Sequence, residues 1–524
     1  MKRYDLIVIG AGPAGLSAAI EGAKAGMHTV VFDENEKPGG QLFKQIHKFF
    51  GSKEHKAKIR GINIGDELLK EAEETGVEVH LSSTVIGIYP EKCISVNKGD
   101  YIETYRAESI IVATGAAEKM IPFKGWDLPG VLGAGAAQTM MNLHGVRPGS
   151  KVVMLGTGNV GLVVSFQLMQ SGCEVMALVD AAPRVGGYGV HASKVSRTGV
   201  PFYLSHTIVE AKGEDRVESV VIAQVDSSFK PIPGTEKEIE ADTICVAIGL
   251  NPMTQLVRMT GCEMEEAGGL VPVCDEYGAT SIPGIFAAGD VSGIEEASSA
   301  MIEGHITGLA AARYTGWIEE DEFRKQVEAR TKSLDKLRQG MFAPQNKGKK
   351  MTMTDEGLPV SESLLAKGYM ADDEMAVYPG FISKPVVHPV IECSQNIPCD
   401  PCQEACRFGC IKVGDRITDL PAVDGDVECK NCGACVAACP GQAIFLVNEN
   451  VDGTYGTVAL PYEFLPVPEV GDKGKGLDRS GQPICNAEVV KIQNLAAFDK
   501  TVVLTMKVPK EFAQKARFFK KEAL

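Results

Sequence analysis

Residues 4–15, Tyr-Asp-Leu-Ile-Val-Ile-Gly-Ala-Gly-Pro-Ala-Gly, constrain the fold more tightly than any other stretch of the chain. An apolar run of strand character meets a glycine turn and opens into a helix from Pro13 to about Gly26. That strand–turn–helix order is what gives G-x-G-x-x-G physical meaning. Gly10 permits the turn, Gly12 lets the backbone approach a pyrophosphate, and Gly15 lets helix and strand pack closely, with Pro13 and Ala14 in the helix's first turn. The helix N-terminus offers unpaired N–H groups and a partial positive charge to phosphate. Thr29–Asp33 reads as the next parallel strand, and its acidic end, Asp33 followed by Glu34, is placed to accept hydrogen bonds from a ribose. The rival reading is a glycine turn in some other α/β protein.

The same unit recurs. Lys151–Leu155 leads into Gly156-Thr157-Gly158-Asn159-Val160-Gly161, a helix to about Ser171, and a strand from Glu174 that ends at Asp180. From Gly10 to Gly156 the offset is 146 residues, so the chain carries an internal repeat of one nucleotide-binding unit. Asp180 favours a free ribose 2′-hydroxyl, because a 2′-phosphate would face a carboxylate. NAD or an adenine nucleotide is therefore expected at Gly156, Gly158, Asn159, Gly161 and Asp180, and an empty, structural second unit is the alternative. Between the two fingerprints lie Gly39-Gly40-Gln41, a turn near the first ligand, and the apolar run Ser109–Val112 that exits through Ala113-Thr114-Gly115. The second unit closes at Thr243–Pro252. The chain returns at Gly284–Val291, where Gly289-Asp290 precedes a helix of small residues from about Glu296 to Tyr314.

A length of 524 residues exceeds one core and predicts three to four domains. The formal net charge of −15 argues against nucleic acid or an anionic membrane as the main partner, and the basic patches Lys347-Gly348-Lys349-Lys350 and Lys520-Lys521 are short. No apolar run reaches the ~18 residues that span a bilayer. The first strand begins by Tyr4, which leaves no room for a signal peptide, so a cytoplasmic location is expected.

Residues 1–325 resemble two-dinucleotide-domain flavoproteins of the thioredoxin-reductase-like kind. The resemblance implies an α/β, Rossmann-like fold with FAD on a discontinuous domain, 1–120 and 256–325, and an NAD-like domain at 121–255 between its halves. It implies FAD contacts at Gly10, Gly12, Pro13, Ala14, Gly15, Asp33, Glu34, Gly40, Gln41, Ala113, Thr114, Gly115, Gly289 and Asp290. Thioredoxin reductases carry a C-x-x-C pair in the second unit. This chain has none before Cys399, which argues against a dithiol mechanism. Leu128–Val131, Gly145–Gly149 and Gly187–Ala192 resemble more closely the FAD-bearing alpha subunits of heteromeric amine and imino-acid dehydrogenases: dye-linked proline dehydrogenases, hydrogen cyanide synthase and heterotetrameric sarcosine oxidase.

Fifteen cysteines in so large a chain, nine of them between Cys393 and Cys439, signal metal rather than a disulfide scaffold. Cys429-x2-Cys432-x2-Cys435-x3-Cys439-Pro440 is the bacterial ferredoxin run, whose fourth cysteine ligates the other cluster of a pair. The partner run Cys399-x2-Cys402-x3-Cys406-x3-Cys410 has one extra residue before its third cysteine and no trailing proline. The spacing assigns Cys399, Cys402, Cys406 and Cys439 to one [4Fe–4S] cluster and Cys410, Cys429, Cys432 and Cys435 to the other. Cys393 is an alternative ligand or a buried thiol, and a zinc ribbon is the alternative to iron. A charged, then irregular linker is expected over 326–385, a ferredoxin-like domain over 386–448, and a small β-rich domain over 449–524.

Together these features predict an FAD and iron–sulfur subunit of an amine or imino-acid dehydrogenase complex. It would relay electrons between an acceptor such as ferredoxin or quinone and a second flavoprotein subunit. Two rivals are a stand-alone NADH:ferredoxin-type oxidoreductase and a non-catalytic carrier subunit with a structural adenine nucleotide. No nucleophile or paired-carboxylate constellation stands out. His191 touches a second-site ligand or is a satisfied loop histidine.

Overall fold

The structure, a computed structural model, describes residues 1–340 and 360–522. Two compact units divide it: Met1–Glu118 with Leu250–Met353, and Lys119–Gly249 with Thr354–Leu524.

In the first unit, Leu6, Ile7 and Val8 are wholly buried, the near-continuous apolar run that a parallel strand covered on both faces requires. The strand Lys2–Ile9 is central in a seven-stranded sheet. It pairs in parallel with Thr29–Phe32 on one side and Ile102–Val112 on the other. Ile9 is level with Phe32 and with Val112, and Val112 with Ala287 of Ile285–Ala287. Four parallel strands therefore end together, and the strand order reverses beside the first fingerprint, the crevice where such sheets bind ligands.

The helix Pro13–Lys24 lies against Ala297–Tyr314 with little between them. A Cβ at Gly304 would collide with the Ala14 carbonyl, and one at Gly308 with that of Ala18. Four residues apart, these two glycines share a helix face and set the close approach. The next helix, Glu320–Leu337, buries Phe323, Val327 and Leu334 in the same core. The beginning of the expected linker is thus a packed helix that starts six residues before 326. The basic stretch Lys347–Lys350 and Pro359 lie outside the described residues.

The second unit holds a five-stranded parallel sheet in the order Phe202–Leu204, Glu174–Asp180, Lys151–Leu155, Thr243–Val246, Val131–Gly133. Leu155 is level with Val179 and Val246, the counterpart of Ile9 between Phe32 and Val112. From 360 onward the chain also belongs to this unit, where Leu364, Met370, Met375 and Tyr378 form a small core.

A seven-stranded sheet closes the unit, and the expected boundary at 448/449 does not divide it. His388–Ile391 and Ile444–Asn448, from the cysteine-bearing segment, pair with each other, and Ile444–Asn448 continues onto Tyr455–Tyr462. The period-2 alternation of a strand explains why. Phe445 and Val447 face one core with Val458, Leu504 and Met506, while Ile444 and Leu446 face the cysteines. One sheet is both the β domain and the floor of the cysteine module. Among the described residues no helix is long and apolar enough to cross a membrane.

Candidate functional site

The three glycines of the first fingerprint have three different surroundings. Gly10 has φ of 108°, and a Cβ there would collide with the Ala113 carbonyl. A Cβ at Gly15 would collide with the Gly10 carbonyl. A Cβ at Gly12 meets nothing within 4 Å. The fold needs Gly10 and Gly15. Gly12 faces open space at the start of Pro13–Lys24, which is what a pyrophosphate cradle requires.

Other turns converge here. Gly39 N–H donates to Ala11 O at 2.6 Å, and a Cβ on Gly40 would approach Gly12 Cα to 2.9 Å. Gly289 has φ of 75°, and its Cβ would lie 2.8 Å from that of Ala14. Ala113 N–H donates to Ile9 O at 2.8 Å, so the Ala-Thr-Gly exit begins at the fingerprint turn. Thr114 Oγ1 donates to Met253 O at 2.7 Å, and Met253 N–H to Gly115 O at 2.9 Å, tying the Ala-Thr-Gly exit to the chain just after Leu250–Pro252. Gly10, Gly12, Pro13, Ala14, Gly15, Gly40, Ala113 and Gly289 thus gather around one crevice, while Glu34 and Gln41 are exposed at its margin.

Asp33 is buried and already engaged. Its Oδ2 accepts the Ala11 N–H at 2.6 Å, and Oδ1 accepts the backbone and side-chain N–H groups of Asn35, both at 2.8 Å. The carboxylate first of all clamps the glycine turn. Asp290 Oδ1 likewise accepts Glu295 N–H at 3.2 Å.

Sequence reasoning missed the groups that brace this crevice. Gly289 N–H donates to Glu303 Oε2 at 3.1 Å. Arg338, buried, pairs with Glu303 and with Glu295, the latter at 2.7 and 2.9 Å. Glu21, 3% exposed on the fingerprint helix Pro13–Lys24, accepts from His305 at 2.9 Å and from Arg330 at 2.7 Å. Burial alone would raise the Glu21 carboxyl, but these partners hold it below its ordinary value. Burial pushes His305 down against the pull of Glu21, so a neutral imidazole donates its Nδ1 proton and Arg330 carries the compensating charge. Lys44, three residues beyond Gln41, is also shifted down by burial, an effect Glu118 partly offsets. None of these pairings has a local sequence signal, since each joins residues tens to hundreds of positions apart.

The second fingerprint repeats the first in detail. Gly156 has φ of 115° with the Ala247 carbonyl where a Cβ would sit, Gly161 abuts the Gly156 carbonyl, and Gly158 has nothing within 4 Å. Asp180 Oδ2 accepts Thr157 N–H at 2.7 Å, the same clamp that Asp33 makes. Here the turn is also roofed: Gly187 N–H donates to Thr157 O at 2.9 Å and Tyr188 N–H to Asn159 Oδ1 at 2.8 Å. His191 is not on a loop. It is buried in the helix Gly189–Ser196, its ring stacked 6.1 Å from that of Tyr188.

Two glycine turns, each at the carboxyl ends of parallel strands, agree with what comparison finds. The pyridine nucleotide-disulphide oxidoreductase family matches residues 4–304. The chain belongs to that family. Membership makes it an FAD-dependent oxidoreductase. An opine oxidase subunit of Rhizobium meliloti is 29% identical over 357 residues, 64% of this chain and 66% of the relative. Hydrogen cyanide synthase subunit HcnB of Pseudomonas aeruginosa is 26% identical over 358 residues, 64% of this chain and 77% of the relative. The chain thus spans just under two thirds of the opine oxidase subunit's length. Thioredoxin reductase of T. acidophilum superposes with a TM-score of 0.51 at 22% identity, over 61% of this chain and 100% of that one, which speaks for the shared fold alone.

The cysteines lie beyond the family match. Cys402, Cys410 and Cys435 are buried in one apolar cluster, with Cys393, Cys406, Cys429 and Cys439 packed against it. Cys393 and Cys402 lie beside Cys439, and Cys406 lies beside Cys410, Cys429 and Cys435. Burial pushes the Cys393 thiol up to about 12 and raises Cys402 and Cys435 as well. Among the described residues no three His, Cys, Asp or Glu side chains form a group that could hold a single metal ion. A cubane asks for a different arrangement, with each of four thiolates on its own iron.

The module is fastened to the second fingerprint. Gly189 N–H donates to Gln395 Oε1 at 2.6 Å, and Arg197, fully buried at the end of that helix, donates to Gln442 O at 2.8 Å. Arg197 stacks 5.4 Å from the Phe445 ring centroid and lies beside Cys439.

Proposed function

We propose that this chain is the FAD and iron–sulfur electron-transfer subunit of an amine or imino-acid dehydrogenase complex. The observation that carries the reading is the cysteine cluster beneath the sheet His388–Tyr462, joined in one chain to an FAD-family crevice that lacks a neighbouring dithiol. FAD would be held by Gly10, Gly12, Gly15, Gly40 and Gly289, with Asp33 fixing the turn. Bound together, a flavin and iron–sulfur clusters interconvert two-electron and one-electron chemistry. The chain's own residues would orient the dinucleotide, and the apolar cluster would shield the buried thiols Cys402 and Cys435, while Cys432 stays exposed. The relatives are themselves subunits, which supports a partner that would carry the substrate site, with a ferredoxin or quinone as acceptor.

A second ligand, NAD or an adenine nucleotide, is supported by Gly158, whose open Cβ position repeats that of Gly12. It keeps the stand-alone NADH oxidoreductase as the competing reading. Anaerobic mixing separates the two. The complex reading expects co-purification with a second flavoprotein and dye reduction only when proline, sarcosine or a similar amino acid is added to the complex. Flavin bleaching of the isolated chain by NADH within the mixing time would overturn it.

A further inference from the structure

The structure pairs the two cysteine runs in a register that their spacing in sequence conceals. The short helices Pro401–Ala405 and Ala434–Ala438 are equivalent. Each carries a cysteine as its second residue, Cys402 and Cys435, and each is ended by a cysteine, Cys406 and Cys439. Every correspondence is an offset of 33 residues: Cys399 with Cys432, Cys402 with Cys435, Cys406 with Cys439, and Ile411 with Ile444, which open the strands that follow. In this register the extra residue before Cys406 disappears as an anomaly. Cys402-x3-Cys406 is simply the counterpart of Cys435-x3-Cys439.

The register changes two roles. Cys406 becomes the crossing cysteine of its run, the part Cys439 plays in the other. The counterpart of Cys429 would be residue 396, but that is Asn396, whose amide donates to Thr418 O at 2.8 Å. The missing thiol is supplied three residues earlier. Ile391 pairs with Ile444, and Glu392 N–H donates to Ala443 O at 2.8 Å, which brings Cys393 to the loop that carries Cys439. Cys410 then has no counterpart, since 33 residues on stands Ala443. It is 1% exposed, its thiol lies 3.7 Å from Glu428 O, and it sits beside Cys406 and Cys429, so the register rather than distance sets it apart from the ligands.

We propose that Cys393, Cys399, Cys402 and Cys439 hold one [4Fe–4S] cluster and Cys406, Cys429, Cys432 and Cys435 the other, with Cys410 outside both sets. This rests on the two-cluster reading above and replaces the assignment that spacing alone suggests. The side-chain neighbourhoods agree with it for Cys393, which accompanies Cys402 and Cys439, and for Cys406, which accompanies Cys429 and Cys435, while the exclusion of Cys410 rests on the register alone.

The test uses the full chain prepared anaerobically, with iron and sulfide measured per flavin and the reduced clusters recorded by electron paramagnetic resonance. The wild type is measured first and should hold about eight irons, as two cubanes require. Without iron in the wild type, the two-cluster reading itself falls. Given about eight, Cys410→Ala and Cys410→Ser should keep the iron content and both signals. Cys393→Ala and Cys393→Ser should lose between one and four irons and alter one signal. Flavin retention by the first unit and an unchanged circular dichroism spectrum report that each variant is folded. Iron loss in either Cys410 variant, or full iron in the Cys393 variants, would overturn the assignment.

Discussion

Gly12 and Gly15 are three residues apart, yet substituting them should have opposite consequences. At Gly12 the backbone is extended, with φ of −75° and ψ of −176°, a conformation any residue adopts, and a Cβ meets nothing within 4 Å. Gly12→Val should therefore change the stability of the flavin-free chain by no more than ~0.5 kcal/mol, the usual range for a substitution without a buried conflict. At Gly15 a Cβ would overlap the Gly10 carbonyl oxygen and lie 3.0 Å from its carbon, with Ala113 Cβ at 3.3 Å behind it. The obstacle is backbone, which no rotamer change relieves. Gly15→Ala should cost about 3 kcal/mol, the upper end of ordinary overpacking. For a unit of this size that lowers Tm by roughly 6–12 °C. The holo form separates the pair again: flavin present at a thousandfold its Kd contributes about 4 kcal/mol, which Gly12→Val forfeits. The assay is absorbance near 450 nm after desalting, with thermal unfolding of both forms. A Gly12→Val chain that keeps its flavin, or whose flavin-free Tm falls as far as that of Gly15→Ala, refutes the reasoning.

Gly158→Val should leave flavin content unchanged and abolish any shift in Tm produced by added NAD or adenine nucleotide, read by the same thermal assay. Arg338→Ala strips the counter-charge from Glu295 and Glu303, whose side chains are 5% and 14% exposed, and should cost about 3–5 kcal/mol in urea unfolding, with Arg338→Lys recovering part of it. Glu21 is depressed from an ordinary 4.5, so the stability it lends is full above that value and drains as pH falls through its lower folded value. His305 is depressed from 6.5, so its neutral-state preference is lost as pH falls below 6.5. The first unit should accordingly weaken in two acid stages, and Glu21→Gln should flatten the one below pH 4.5 in a Tm-against-pH series.

What could be read in the sequence was what local rules govern. The strand–turn–helix at Tyr4–Gly15 and its repeat at Lys151–Gly161 are periodicity and glycine chemistry within a dozen residues, and their helices end within two residues of expectation. The Gly-Asp turn was legible as a motif, but its bracing by Glu303 and Arg338 was not, because nothing local announces that a helix and its successor return to it. The cysteines admit two readings. Counting residues between thiols makes Cys399 the first ligand of its run, whereas the register proposed from the helices Pro401–Ala405 and Ala434–Ala438 matches Cys399 with the second cysteine of the other. The clue was present in the chain as the 33-residue offset, but an offset between runs becomes compelling only when both occupy equivalent elements. The sheet that runs across 448/449 was hidden for a related reason. A strand that faces a different core with each side chain belongs to both domains at once.

The repeat also bears on whether the second nucleotide site is used. A Rossmann unit that had become purely structural would still require Gly156 and Gly161, because both abut a carbonyl that leaves no room for a Cβ. It would not require Gly158. There the backbone is extended, with φ of −66° and ψ of 173°, and the Cβ position is open, so the fold alone tolerates any side chain. Glycine at the start of a helix is moreover less effective than Ser, Asp or Asn as a cap, so stability favours replacing it. The chain nonetheless has glycine at the one fingerprint position that the fold does not require, which supports the proposed phosphate-bearing ligand there. It also keeps Asp180 clamping Thr157, and it roofs the turn with Gly187 and Tyr188 in a segment that leads through Gly189 to Gln395 of the cysteine module. The same Gly158→Val variant therefore addresses both questions: if nucleotide stabilises the wild type and not the variant, the second unit is a binding site, and if it stabilises neither, glycine at 158 has no function that this fold explains.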